Sequence, residues 1–526
     1  MSKRFASDLN YGDSKQRKIE NIFSVKTKNI RIFQDSVHGA VKMDPLLVAI
    51  IDTPQFQRLR DIKQLGSSYW VFPGACHNRF EHCIGTSYLC GLMLETLKEL
   101  HNTEYDNAVE ITETEILCVK IAGLCHDLGH GPFSHTFDGT FIKRARLDTR
   151  WTHEQGSCDL FDYMLDVNEG LREILTERGI GENECELIKR MIKGRDPKQD
   201  FIVETCNCGG RTAEKWFLYE IVSNKRTGID CDKLDYFARD THHLGMKNTF
   251  DIQRYLQNIR ILSVDGQLQI CVRDKEMFNL YELFHVRWAL HHQVYQHKTT
   301  RIIEEMICEA MLKVDNKYGI SAAIDNMESY TNLTDSIIYD ILRSNDDDQD
   351  LKDAQELIKR IQKRDFMMYF CARINSSSTK RESDELQEDM IAQAIIDTSY
   401  GALEREDLFV DIISIGYGMK DQNPVEEVIF FTKDGKPIKL RREYLSDILP
   451  NSFLEKLIRV YCTKREKRLA VKNSFKLWCE ENGYLIPNTM EGDTSGYFTN
   501  ISNSEASESF SNISTSTPCD VNNNTK

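Results

Sequence analysis

Proline is scarce in this chain, 10 residues in 526, and glycine numbers only 28, so neither a collagen repeat nor a proline-rich extended array is open to it. No uncharged run reaches the ~18 residues of a membrane-spanning helix; the most apolar one, Cys83 to Leu94, is 12 long. The 16 cysteines include no C-x-x-C pair, which makes them small buried hydrophobes of a reducing compartment more than a disulfide framework. Their one close pair, Cys206 and Cys208, lacks a second ligand pair at zinc-finger spacing. The start has no apolar signal region, so an intracellular soluble protein with no membrane partner is expected. Positive charge is in deficit: 67 Lys and Arg against 82 Asp and Glu leave −15, which argues against sequence-blind coating of duplex DNA.

What is present is enough to fold. Apolar residues are 40% and aromatics 10% of the chain, and the length allows a large core or two lobes. Apolar positions recur at three- and four-residue steps over 89–100, 111–128, 280–290, 300–314, 335–342 and 351–361, the pattern of amphipathic helices packed on a core. Two Asp-Gly dipeptides flanked by apolar residues, Asp265-Gly266 and Asp434-Gly435, predict hairpins within 259–272 and 428–440.

The organisation expected is a basic leader over 1–28, a helical catalytic domain over 29–374, an exposed polar loop or linker over 375–395, a smaller C-terminal lobe over 396–489 and a disordered Ser/Asn/Thr tail over 490–526. In the leader, Lys3-Arg4 and Lys15-Gln16-Arg17-Lys18 stand ten residues apart, the form of a bipartite nuclear import signal. A nuclear or cytoplasmic location is expected.

The most informative segment is Cys125-His126-Asp127-Leu128-Gly129-His130-Gly131-Pro132-Phe133-Ser134-His135. A helix with a buried face delivers an adjacent His and Asp just before Gly129, Gly131 and Pro132 break it. Neighbouring helical residues point about 100° apart, so such a dyad meets a metal only from a terminus or a facing groove. Imidazole and carboxylate suit Zn, Fe or Mn, and Mg where more oxygens join. Two ligands do not hold a catalytic ion, and two segments offer more: 77–82, with His77 and His82, and 230–240, with Asp230, Asp232, Asp235 and Asp240.

The order His82, His126-Asp127, Asp232 resembles the ligand pattern of the HD-domain metal-dependent phosphohydrolases. The words around it are narrower still: 52–60, Phe72-Pro73-Gly74-Ala75, 122–130, Trp151-Thr152-His153-Glu154-Gln155-Gly156 and 235–240. They are similar to the vertebrate SAM- and HD-domain-containing deoxynucleoside triphosphate triphosphohydrolases, in order, from about residue 28 to about 479. A form without the SAM module is expected.

The resemblance implies a mainly α fold, an HD-domain helical core with small β-hairpin elements and a smaller mixed α+β C-terminal lobe. It implies a metal-dependent dNTP triphosphohydrolase giving a deoxynucleoside and inorganic triphosphate. His82, His126, Asp127 and Asp232 would hold Fe, Zn or Mn, with Mg on the nucleotide phosphates. His135 would be the general acid, with His130, His153 and Asp138 around it; an imidazole near its free pKa of ~6.5 suits proton donation. Arg79, Lys233, Tyr236 and Arg287 match phosphate-contacting positions, and Gln64, Leu65, Asp240 and Tyr295 the deoxyribose positions.

The family is further assembled by nucleotides into a homotetramer. Arg31, Asp52, Gln57, Arg60 and Arg364 match its GTP positions; Gln34, Arg254, Arg273, Lys275, Asn279, His297 and Lys298 match those for a dNTP effector. Thr463 and Met368 stand where the family has Lys, and Gln34 where it has Asn, departures that bear on effector affinity and not on the metal site. The implied roles are control of dNTP pools and restriction of viral replication. Two other readings compete: an HD phosphodiesterase or nuclease, disfavoured by the acidic charge and the missing aromatic-basic stripe, and a non-catalytic, nucleotide-gated scaffold. Weak single-stranded nucleic acid binding is compatible with the first reading.

Overall fold

The computed structural model describes residues 30–104, 110–194, 213–366, 368–373, 387–440, 450–484 and 486. The basic leader, the Ser/Asn/Thr tail, the Cys206–Cys208 pair and residues 375–386 of the expected linker lie outside the described residues.

The fold is mainly α, with small sheets and a mixed C-terminal lobe. The chain enters through an antiparallel hairpin, β1 (Arg31–Asp35) and β2 (Gly39–Met43). The principal helices are α1 (Arg79–Glu104), α2 (Glu113–Cys125), α3 (His153–Val167), α4 (Glu182–Lys193), α5 (Cys231–Leu244), α6 (Met277–Leu290), α7 (Lys298–Tyr318) and α8 (Gln349–Gln362). Each periodic stretch named from the sequence overlaps a helix, though 111–128 and 335–342 overrun theirs, Glu113–Cys125 and Ile337–Arg343. Local chemistry fixes their starts: Thr112 and Glu115 form a reciprocal capping box on α2, and the Asp230 carboxylate accepts the Lys233 N–H at the head of α5.

The helices bury Leu89, Leu94, Ile121, Leu124, Leu234, Phe237, Leu280, Ile303 and Met306 in one continuous core. Each such side chain contributes roughly 1.5–3 kcal/mol of transfer free energy. In the middle of that core α1 packs against both α2 and α5, which sets three helices side by side. Among the described residues no helix is long and apolar enough to cross a membrane.

Strands β3 (Ile259–Val264) and β4 (Gln267–Arg273) form the first expected hairpin about Asp265-Gly266. The second is shorter than its apolar flanks suggested. Around Asp434-Gly435 only β7 (Phe430–Phe431) pairs with β8 (Pro437–Ile438), and Pro437, which has no N–H to give, confines β8 to the sheet edge. β4 pairs in parallel with β7, so this hairpin extends the β3–β4 sheet.

The C-terminal lobe is a three-stranded antiparallel sheet, order β5 (Met368–Arg373), β9 (Leu454–Cys462), β6 (Leu408–Gly416), covered by α9 (Glu388–Asp397) and α10 (Arg468–Glu481). Two expected boundaries need correction. Residues 388–395 are not a linker: they lie on α9, which buries Ile391, Ala392 and Ile395 on the lobe core at helical spacing. Residues 368–373, placed with the catalytic domain, are a strand of the C-terminal sheet, while Tyr417, Val425 and Phe430 pack into the main core.

Candidate metal centre

Three helices deliver the ligands. His82 stands in the first turn of α1, His126 and Asp127 follow the last residue of α2, and Asp232 lies in the first turn of α5. Ligand nitrogens and an oxygen of His82, His126 and Asp232 lie within 4.8 Å of one another. Asp127 closes the group, its two carboxylate oxygens 3.4 Å from His82 Nε2 and from His126 Nε2. A dyad with side chains 100° apart serves here because α1 and α5 bring partners to both of its sides.

The close approach of α5 to α1 depends on Gly85, where an added Cβ would sit 2.0 Å from Asp235 Oδ1 and 2.4 Å from Arg239 Nη2. Through that gap Asp235, fully buried, accepts His82 Nδ1–H at 2.7 Å and aims Nε2 at the cluster. Its oxygens also accept His38 Nε2 at 2.7 Å and Arg239 at 2.8 and 2.9 Å, and Arg239 in turn reaches Asp35 at 3.0 Å. His126 is oriented likewise, Nδ1–H donating to the Gly123 carbonyl at 2.9 Å. Its Nε2 is buried with no hydrogen-bond partner among the described residues. An orphaned, oriented imidazole nitrogen facing carboxylates fits a divalent cation, and the donor set of two imidazoles and two carboxylates suits Zn, Fe or Mn.

The electrostatics agree. Burial disfavours charge on His82, yet hydrogen bonds to Asp232 and Asp235 and the nearby Asp127 outweigh it and push its pKa up to about 10. Asp127 is buried too, but Arg79, His126 and His130 hold its carboxyl well below the usual range. This much paired negative charge is a site that wants a cation.

Beside it lies a second cluster, His130, His135, Asp138 and His153. Asp138 accepts His153 Nδ1–H at 2.7 Å and lies 3.6 Å from His135. The rings of His130 and His153 stack, centroids 4.0 Å apart and 15° from parallel, so their lone pairs do not converge on one point. Asp138 thus links His153 and approaches His135, while both ring nitrogens of His130 are buried with no hydrogen-bond partner among the described residues. Burial opposes charge on Asp138, but the imidazoles of His135 and His153 hold it ionised, and Asp138 in turn raises His153 against its own burial. His130 is kept neutral by burial and by the Arg79 and His153 charges. His135 alone of the four reaches outward, its side chain 71% exposed, where a substrate can meet it.

Most substrate candidates keep partners of their own, and Tyr236 stands against a cluster residue, His82. Asp240 accepts His77 Nε2–H at 2.7 Å and the Tyr295 hydroxyl at 2.5 Å. Gln64 Oε1 is buried without a partner among the described residues, Leu65 is half-buried, and Tyr236 stands edge-on to His82. Lys233 is paired with Asp230 at 3.0 Å and Arg287 donates to the Gly416 carbonyl, so both must exchange partners to meet phosphate. Arg79 is the exception: it is buried, its fork spent on Asp127 (2.5 Å), Ser134 (3.0 Å) and the Gln64 carbonyl (3.1 Å), which makes it here the holder of Asp127 and not an open phosphate ligand.

Residues 79–204 match the model of the HD domain and 250–427 that of the HD associated region. The chain is 44% identical over 498 residues to human deoxynucleoside triphosphate triphosphohydrolase SAMHD1, covering 90% of this chain and 77% of that protein. The cattle SAMHD1 is also 44% identical, over 503 residues, 92% of this chain and 83% of its own length. It belongs to the SAMHD1 family. A SAMHD1 homolog from Dictyostelium discoideum is 35% identical over 463 residues, 88% of this chain and 82% of its own, so the likeness extends beyond vertebrates.

The residues expected from the resemblance to meet nucleotide effectors scatter more widely. Arg31 lies 3.7 Å from Asp52, Gln57 accepts Arg60 Nε–H at 2.8 Å, and the Arg60 guanidinium lies over the Phe80 ring; no described contact joins Arg364 to them. Arg254 and Asn279 converge on buried Glu276, at 2.8 and 3.2 Å, with Lys275 and Arg273 beside them. His297 and Lys298 stand elsewhere, against Phe72 and Tyr369, and Gln34 is on β1. At the departures, Thr463 donates to the Glu406 carbonyl and Lys464 pairs with Asp407 at 2.8 Å.

Sequence reading missed the support behind the ligands. Asp235 and Arg239 carried a signal, sitting three and seven residues after Asp232 on one helix. Asp35 and His38 carried none; only the hairpin brings them there.

Proposed function

We propose that the chain hydrolyses dNTP to deoxynucleoside and inorganic triphosphate at the cluster of His82, His126, Asp127 and Asp232. The observation that carries the reading is the meeting of those four side chains, from three helices, around an unpartnered imidazole nitrogen. A divalent ion held there would supply Lewis acidity toward water and the α-phosphate.

The chain's own residues supply the rest. Arg79 fixes one oxygen of Asp127 and leaves the other toward His126. Lys233, Tyr236 and Arg287 would take the triphosphate oxygens, Lys233 as a point charge and Arg287 as a fork. Gln64, Asp240 and Tyr295 would receive the sugar, with Leu65 against its 2′ carbon, where contact leaves no room for a hydroxyl. His135 would give its proton to the departing 5′ oxygen, and Asp138 with His153 would hold and recharge it.

Activation by GTP and then by a dNTP, through assembly into a homotetramer, is the regulatory part of the proposal. The separation of Arg254 and Asn279 from His297 and Lys298 supports an effector site shared between chains. Control of dNTP pools and restriction of viruses that depend on reverse transcription would follow from the activity. The two basic clusters of the leader support nuclear import.

The test is product analysis with dATP, with and without GTP, beside Asp127→Ala. Triphosphate and deoxyadenosine appearing with GTP and absent in the variant are expected. Intact dATP under every metal and GTP condition would leave the scaffold reading, and hydrolysis without GTP would remove the effector assignments alone.

A further inference from the structure

Phe133 and Ser134, the two residues before His135, both hold left-handed backbone, φ 59° and 55°. For a bulky aromatic that conformation is costly, of order 1–3 kcal/mol, and it persists only where the surroundings over-determine it. The main restraint comes from 202 residues further along the chain: Asp335 Oδ1 accepts the Phe133 N–H at 2.6 Å. Its other oxygen accepts the Lys63 N–H at 2.9 Å. The Lys63 carbonyl accepts the Ser134 hydroxyl at 2.6 Å, closing a ring of three hydrogen bonds.

Lys63 directly precedes Gln64 and Leu65, so one carboxylate ties the loop that carries the proton donor to the segment that receives the sugar. The two segments are pressed together: a Cβ on Gly66 would lie 2.4 Å from the Phe133 carbonyl oxygen. The neighbourhood of Asp335 grips the same loop twice more. Tyr330 donates its hydroxyl to the Gly129 carbonyl at 2.7 Å, and Arg58 bridges the carbonyls of Leu128 and Leu333 at 2.9 Å each.

We propose that Asp335 is a positioning residue for hydrolysis, setting His135 against the sugar pocket by holding Phe133 and Lys63 at a fixed separation. It touches none of the metal-ligating or phosphate residues. The inference rests on the reading of His135 as proton donor to the leaving oxygen.

Asp335→Ala and Asp335→Asn in the full chain, loaded with metal and activated with GTP, separate the possibilities. With dATP, kcat falls about 10- to 100-fold, since misplacement by about 1 Å costs that much, while KM changes less than about threefold and bound metal is unchanged. Bis(4-nitrophenyl) phosphate, whose leaving group needs no proton, is cleaved within about threefold of the wild-type rate. If the wild-type chain does not turn over the aryl ester, the alkaline limb of the kcat profile with dATP decides, and it flattens in the variants. Equal loss on both substrates with metal intact, an unchanged alkaline limb, or undiminished dATP turnover overturns the proposal. So does failure of both variants to fold, judged by thermal melting, because Asp335 would then serve stability alone. A wild-type chain inert toward dATP would instead sink the functional reading and leave Asp335 out of it.

Discussion

His82, His126, Asp127 and Asp232 come from three helical segments and meet in one cluster, whereas the seven residues matched by resemblance to a dNTP effector lie in three separate places on the single chain. Behind the ligands stands a continuous relay, Asp235, Arg239, His38 and Asp35, almost all of it shut from solvent. Behind the residues matched to effectors stand local pairs, such as half-exposed Arg254 on buried Glu276. Buried, mutually satisfied charge holds one geometry because any other leaves a charge unpaired in low dielectric. Half-exposed, the Arg254 guanidinium stays within reach of a ligand from solvent, although its partner Glu276 is buried. The cluster of candidate ligands is thereby complete within one chain, and the residues matched to effectors are not brought together by it.

The strongest way to break that contrast is to remove a ligand. Asp232→Ala is expected to lose the bound metal, by elemental analysis, and to lower dNTP hydrolysis on the order of 10⁴-fold, as deletion of one member of a catalytic unit does; retained metal with full activity would show the cluster is not the centre. Next is Asp235→Asn, which touches no substrate position but orients His82 and neutralises Arg239. Metal affinity should weaken about 10- to 100-fold, measured by chelator competition, and an unchanged affinity would mean the ligands need no relay.

Arg254→Ala should raise the dNTP concentration for half-activation about tenfold, the worth of one charge-assisted hydrogen bond. Maximal kcat and metal content should stay as they were, and a change in either would merge the two regions that the contrast separates.

The smallest effect is one of pH. Burial, and then the charges of Lys298 and Arg459, depress His297 from 6.5 to about 4. A depressed imidazole binds fewer protons folded than unfolded, so its contribution to stability is full above pH 6.5 and is lost as pH falls toward 4. His297→Gln should therefore melt with a shallower acid dependence than wild type over that window. The same shift leaves His297 neutral near pH 7, where of this pair only Lys298 carries charge.

Much of this was legible in the chain. The helices at 280–290, 300–314 and 351–361 were readable because their apolar positions keep a 3.6-residue period. Helix α9 was not, although Met390–Ile396 is largely apolar, because Glu388 and Asp389 at its start continue the charged run that precedes it. The metal ligands were readable from the resemblance, as His82, the adjacent His126 and Asp127, and Asp232 in order. The engagement of Arg79 by Asp127 was not: a residue type matched to phosphate says nothing of what its fork meets first. Asp335 lay beyond reach for the same reason, because its partners Phe133 and Lys63 are more than 200 residues away and both bond through backbone N–H groups, which every sequence has.

The sequence by itself determined where the long periodic helices form, that no uncharged run is long enough for a membrane span, and, through the family resemblance, which four side chains could hold a cation, since periodicity, charge and motif order are read along the chain. Tertiary structure alone decided that Asp235 stands behind His82, that Arg79 is spent on Asp127, that β5 joins the C-terminal sheet, and that Asp335 holds Phe133. Those outcomes depend on close packing between distant segments, where a missing Cβ at Gly85 or a carboxylate arriving from elsewhere in the chain fixes distances that no spacing along the sequence encodes.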